Sequence, residues 1–175
     1  MTDKEFYENI QLIKSKDKAG LKQIYVEYVS LIYHTILNVI KNPEDASDIT
    51  SEFFIKLNTV ADRYQPGNGH KTWLVTIARN MTIDYIRAHK REISTEDSIL
   101  YTESSKDNIE ANVVAEQSFK DLIKTLKPKE QELLTLKIVG EFTFKEISEL
   151  LKEPMGTITW RYREAINKLR RNYHE

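Results

Sequence analysis

The 175-residue sequence predicts an all-α protein of two small helical domains joined by a flexible acidic linker, and three observations carry that expectation. Apolar residues recur at helical spacing on both sides of the chain's middle, and no stretch alternates apolar with polar as a strand does. From Ser94 to Asp121 the chain carries seven acids against two lysines, few large apolar residues before Phe119 and the polar run TESSKDN, which suits a tether better than a core. Proline and glycine gather where a helix must stop, most clearly in YQPGNGH at 64–70. The expected division is a domain over 1–91, a linker over 92–110 and a second domain over 111–175.

In chain order, Phe6, Ile10 and Ile13 mark a first helix, and Leu21, Ile24, Tyr25, Tyr28, Leu31, Ile32, Ile36 and Val39 a longer second one. Asn42 and Pro43 open a third in the preferred cap and first-turn positions. Its apolar face is Ala46, Ile49, Phe53 and Leu57, which leaves Asp45, Asp48 and Glu52 as an acidic ridge. After the loop at 64–70 a fourth helix turns Trp73, Leu74, Ile77, Ala78, Met81 and Tyr85 inward and Thr76, Arg79, Asn80, Ile83, Arg87 and Lys90 outward. Amide and guanidinium groups on that outward row suit phosphates and base edges, and Lys90 with Arg91 extends its positive charge. Tyr64 reads either as a stacking platform for a base or as a core residue ending the third helix.

Helical spacing resumes at Val113, Val114, Phe119, Leu122, Ile123 and Leu126, breaks at Pro128, and returns in Leu133, Leu134 and Ile138 before Gly140. The stretch 143–171 then reads as two helices hinged by a tight turn. Thr143 and Glu146 form a capping box, and Ile147, Leu150 and Leu151 form the apolar stripe of the first. Pro154 ends that helix, Gly156 supplies the permissive backbone of the turn, and Thr157 caps the second. There Ile158, Tyr162, Ala165, Ile166 and Leu169 share one face, opposite Thr159, Trp160, Arg163, Asn167, Arg170 and Arg171. A helix-turn-helix that buries one side and offers cations on the other has the shape and charge to enter a major groove. Trp160 lies off the apolar stripe, so it is exposed for contact or covers a partner.

The net charge of −1 hides a strong division. From 70 to 92 there are five Lys or Arg against two acids, and from 157 to 175 again five against two, whereas 42–62 holds five acids against one lysine. Two basic faces and an acidic one imply more than one partner. With no cysteine, disulfides and thiolate metal sites are excluded, and His34, His70, His89 and His174 lack metal-ligand spacing. Neither metal nor cofactor is expected. No apolar run approaches the roughly 20 residues of a membrane span, so no membrane insertion is expected and a cytoplasmic protein is the default.

With both halves read, the chain resembles the sigma-70 family of RNA polymerase sigma factors, in its small extracytoplasmic-function (ECF) type. The first domain carries the resemblance in Asp45-Ala46, Asp48-Ile49, Glu52-Phe53, Trp73-Leu74, Ile77-Ala78-Arg79-Asn80, Asp84 and Arg87. In the second the matching residues are Leu126, Pro128, Glu146-Ile147, Gly156-Thr157-Ile158, Arg161, Ala165 and Leu169. The resemblance implies that Asp45, Asp48, Ile49, Glu52 and Phe53 dock on the clamp helices of bacterial core RNA polymerase. It implies that the fourth helix and the loop before it open promoter DNA at the minus-ten element, through Asn68, His70, Lys71, Arg79, Asn80, Arg87, Lys90 and Arg91. Thr157, Thr159, Trp160, Arg161 and Arg163 would read the minus-thirty-five element in the major groove. It implies an anti-sigma factor as a further partner. Three positions depart from the family pattern: Lys152 stands where a turn glycine is usual, Ser148 replaces an alanine, and Trp160 replaces a small residue on the reading face.

Two other functions remain open at this point. One is a sigma-like helix-turn-helix regulator that never joins polymerase, which the acidic ridge discriminates. The other is a nucleic-acid hydrolase, for which no catalytic cluster or phosphate-binding glycine loop is present. The expected protein is not an enzyme.

Overall fold

A computed structural model of the protein describes residues 1–67, 69–93 and 122–172, and every element among them is helical. The chain divides into two compact units, Met1–Ile99 and Leu100–Glu175. The expected linker lies outside the described residues except where the fourth helix overlaps its start, as do Val113, Val114 and Phe119.

In the first unit α1 spans Asp3–Lys14, α2 Lys18–Ile40, α3 Pro43–Val60 and α4 His70–Ile93, with a single 3₁₀ turn at Ala61–Arg63. Thr2 and Glu5 close a capping box on α1, and Asp17 caps α2. The Asn42 side chain accepts a hydrogen bond from the Glu44 amide at 2.9 Å, so α3 starts at the expected cap with Pro43 behind it. α2 is the spine, packed by α1, α3 and α4. Gly20 lets α1 close on it: a Cβ there would lie 2.4 Å from the Asn9 carbonyl oxygen. Phe6, Ile10, Ile24, Ile32, Phe53, Leu57 and Leu74 are fully buried and form the core.

The second unit begins its described part with the buried Ile123 and Leu126, against which Leu134, Ala165 and Leu169 pack. α5 spans Pro128–Leu134, α6 Phe144–Leu151 and α7 Met155–Asn172. Pro128 opens α5 as its first residue, where a missing amide costs nothing. α5 runs on through a π-helical turn at Thr135–Val139, closed by the Gly140 amide donating to the Thr135 carbonyl at 3.0 Å. That wider turn shifts the register, so Ile138, expected inside, is 46% exposed while Thr135 and Leu136 are buried.

The Thr143–Glu146 capping box opens α6 as expected. The hinge after it differs from the sequence reading. α7 begins at Met155, with the Thr157 and Ile158 amides donating to the Pro154 carbonyl at 2.9 and 3.1 Å, so Thr157 and Gly156 lie inside the helix. The left-handed residue of the turn is Lys152, at φ 55 and ψ 38. The turn keeps the geometry a glycine would give and carries the strain in a lysine. Ser148 braces it, its hydroxyl donating to the Glu153 carbonyl at 2.6 Å. Because the left-handed conformation costs an L-residue roughly 1–2 kcal/mol, and glycine's greater unfolded freedom cancels part of that, Lys152→Gly is expected to stabilise the unit by about 0.5–1 kcal/mol. Urea unfolding midpoints of the two proteins check it.

Candidate functional site

Along α3 the acidic ridge stands over the core. Asp48 and Glu52 are exposed and Asp45 half-buried, whereas Ile49 and Phe53 are 2% and 0% exposed. The last two were expected among the docking contacts; both are buried on the underside of the helix and covered by the protein itself, whereas the carboxylates of Asp48 and Glu52 reach the surface. Ile55, 68% exposed on the same helix, is a large apolar surface side chain the sequence reading did not single out. Its only signal was a large apolar residue off the inward stripe.

On α4 the outward row is largely as expected. Thr76, Asn80, Ile83 and Arg87 are exposed, Arg79 and Lys71 are half-buried, and Arg87 pairs within the helix with Asp84 at 3.6 Å. Val75 and Thr82 join the inward face, Thr82 by bonding its hydroxyl to the Ala78 carbonyl at 2.8 Å. Asn68 and the side chains of Lys90 and Arg91 lie outside the described residues.

His70 departs most from its expected role as a donor to DNA. It is 5% exposed, with Nε2 against the Tyr28 hydroxyl at 2.5 Å, Nδ1 bonded to the Asp3 carboxylate, and its ring stacked on Phe6 at 4.7 Å. Both ring nitrogens are therefore engaged inside the protein. Tyr64 is likewise core, 5% exposed and edge-on to Trp73 at 5.1 Å, so it offers no stacking face. Its hydroxyl has no hydrogen-bond partner among the described residues. Burial raises its pKa and, more strongly, that of Tyr28, so both stay neutral phenols.

In the second unit α7 has the two faces expected of it. Ile158, Ala165 and Leu169 are buried; Trp160, Arg163, Asn167, Arg170 and Arg171 are exposed, with Trp160 at 62%. Thr157 is exposed, and the Thr159 hydroxyl turns back to the Gly156 carbonyl at 3.1 Å. Phe144 of α6 meets Tyr162 edge-on at 5.2 Å and locks the two helices.

Arg161 differs from its neighbours. Only 13% of its side chain is exposed, and Nη1 lies 2.6 Å from Oε2 of Glu153. That contact is an ion pair without hydrogen-bond geometry, whereas Glu153 Oε1 accepts a hydrogen bond from Lys129 at 2.9 Å. The two cations, Lys129 first and Arg161 second, hold the Glu153 carboxyl below the usual range. Arg161 thus ties α7 to the turn before it and to the start of α5. A second tie joins Lys168 to Glu130 at 2.5 Å. No local spacing signals the second tie, since Lys168 and Glu130 lie 38 residues apart, nor the Lys129–Glu153 bond, whose partners are 24 apart.

Comparison with known proteins decides the family. The Sigma-70 region 2 profile matches residues 24–92 and the Sigma-70 region 4 profile residues 122–171. Over 174 residues the chain is 30% identical to the ECF RNA polymerase sigma factor SigW of Bacillus subtilis, covering 91% of this chain and 93% of that one. The protein is an ECF sigma factor of the sigma-70 family.

The ECF sigma factor SigM of the same organism is 26% identical over 154 residues, 85% of this sigma factor and 94% of SigM. In fold the chain matches the sigma factor RpoE from Bartonella quintana, solved in complex with the anti-sigma factor NepR. There the TM-score is 0.67 at 21% identity, over 86% of this chain and 94% of that one. As a sigma factor it joins core RNA polymerase and directs promoter-specific initiation of transcription. Among the described residues no helix is long and apolar enough to cross a membrane.

Proposed function

We propose that the two units divide the work of a dissociable, non-enzymatic promoter-specificity subunit acting in the cytoplasm. The observation that carries this reading is the two-faced α3, in which Asp48 and Glu52 project from a helix whose alternate face, Ala46, Ile49, Phe53 and Leu57, is buried. A rigid acidic ridge fits a basic helical surface on core polymerase, with Asp45 at its edge. Lys71, Arg79, Asn80, Arg87, Lys90, Arg91 and Asn68 then form the minus-ten side, where amides and guanidinium groups bond phosphates and the edge of an unpaired base. Thr157, Trp160 and Arg163 present the minus-thirty-five reading face, with Thr159 beside them. His70 and Arg161 support these faces from within.

An anti-sigma factor completes the proposal, since RpoE, whose fold this chain shares, is held by one. Run-off transcription from a randomised-promoter library, with purified bacterial core polymerase with and without this protein, tests the whole. Transcripts that need both, and that share two spaced motifs, are expected. Absence of transcripts with duplex binding intact would favour a regulator that never joins polymerase.

A further inference from the structure

The start of α4 is held by a residue far away in sequence. The position before His70 is Gly69, at φ 72, which has no side chain to accept from the first free amides of α4. Asp3, in the first turn of α1, supplies the acceptor instead. Its Oδ1 takes the His70 backbone amide at 3.4 Å and the ring Nδ1–H as well. The His70 ring is then fixed on its other side by the Tyr28 hydroxyl of α2 at 2.5 Å and on its face by Phe6 of α1. A carboxylate is thereby set at the positive end of the α4 dipole, borrowed from another helix. The bond from the His70 ring, more than any other influence, holds the Asp3 carboxyl below its usual range. Gly67, at φ 102, and Gly69, at φ 72, are permissive backbone, so the start of α4 is set by what grips His70.

We propose that Asp3 is a positioning residue for promoter opening: by capping α4 from α1 it fixes the first turn of α4, and with it the placement of Lys71 against the minus-ten element. The inference rests on the reading that α4 and its loop engage that element. It extends the promoter-opening machinery to α1, which precedes residue 24, where the region 2 match begins.

The test uses the full chain with core polymerase on a promoter drawn from the run-off library, carrying 2-aminopurine in its minus-ten element. Opening rate and core affinity are measured for Asp3→Ala, Asp3→Asn, Asn80→Ala and Ile10→Val, the last a loss of core packing in α1 away from the cap. Asp3→Ala is expected to slow opening about tenfold at unchanged core affinity, the scale of a lost helix cap felt at the transition state. Asp3→Asn, which keeps an acceptor oxygen for the amide and for Nδ1–H, is expected to recover most of that rate, and Ile10→Val to open normally. Slowing by both Asp3→Ala and Ile10→Val in step with lost thermal stability would overturn the proposal in favour of a general stabilising role. So would normal opening by Asp3→Ala beside slow opening by Asn80→Ala, which leaves the minus-ten reading standing. Normal opening by Asn80→Ala as well would remove that reading and the proposal with it.

Discussion

Reversing Asp45, Asp48 and Glu52 together to lysine is expected to weaken binding to core polymerase by at least about a hundredfold while leaving the melting temperature nearly unchanged. Three reversals turn a row of attractive pairs into like-charge contacts, and such juxtapositions cost several kcal/mol at a desolvated interface. The fold tolerates them because Asp48 and Glu52 are exposed and, among the described residues, none of the three is held in an ion pair; Asp45, half-buried in the first turn of α3, loses only a helix-dipole interaction of about 0.3–1 kcal/mol. Titration of fluorescent sigma factor against core, beside a thermal melt, separates the two quantities. A salt series adds a check, since the wild-type affinity should fall with ionic strength more steeply than the variant's.

Phe53→Ala supplies the contrast. Phe53 is fully buried on the inward face of α3, edge-on to Phe54 at 5.0 Å, so its truncation is expected to cost about 3–5 kcal/mol of stability. Core binding would then fail only as far as the unit unfolds, and lower temperature should restore it. If Phe53→Ala instead weakened core binding with its melting temperature intact, the buried residues of α3 would have to be counted as contacts after all. Charge on the ridge and packing beneath it are in this way distinguishable on one helix.

The difference between ridge and underside also marks where sequence reasoning holds. Helical spacing separated the faces of α3 and α7 because each buries a single stripe and period determines which residues share it. On α4, by contrast, the buried stripe is Leu74, Val75, Ala78 and Thr82, and Trp73, Ile77, Met81 and Tyr85, expected inward, are half-buried. The capping residues Asn42 and Thr143 were legible for a similar reason, since their partners lie within the next few residues. What could not be read depends on partners distant in sequence. Asp3 and His70 are separated by 67 positions, and nothing in either neighbourhood announces the other. The π-helical turn at Thr135–Val139 broke the period itself, which is why Ile138 was placed on the wrong face. At the hinge, residue type misled: Gly156 and Thr157 look like turn and cap, yet the left-handed position fell to Lys152 and the Pro154 carbonyl opened the helix.

The same gap between residue type and environment separates Arg161 from Arg163 on α7. Arg163→Ala is expected to lower minus-thirty-five duplex affinity at constant stability, since Arg163 is exposed beside Trp160 on the outward face. If it grips a phosphate, the loss should be uniform across sequences and the salt slope of binding should shrink by about one; if it reads a base, discrimination of about 1–3 kcal/mol should vanish at one position. Arg161→Ala should behave in the opposite way. Its removal leaves Glu153 with Lys129 alone, a loss of about 1 kcal/mol, below the 3–5 of a fully buried pair because one carboxylate oxygen stays paired and part of the site is solvated. Duplex affinity per folded molecule should then change little. Trp160→Ser, at a side chain 62% exposed, should shift which bases are preferred without lowering stability, because an indole on the reading face meets base edges and thymine methyl groups by apolar contact. Selection from a randomised minus-thirty-five duplex pool, run beside urea unfolding, reads both quantities for all three variants. Unchanged preference for Trp160→Ser with a fall in stability would move the indole from the reading face into the packing of the domain.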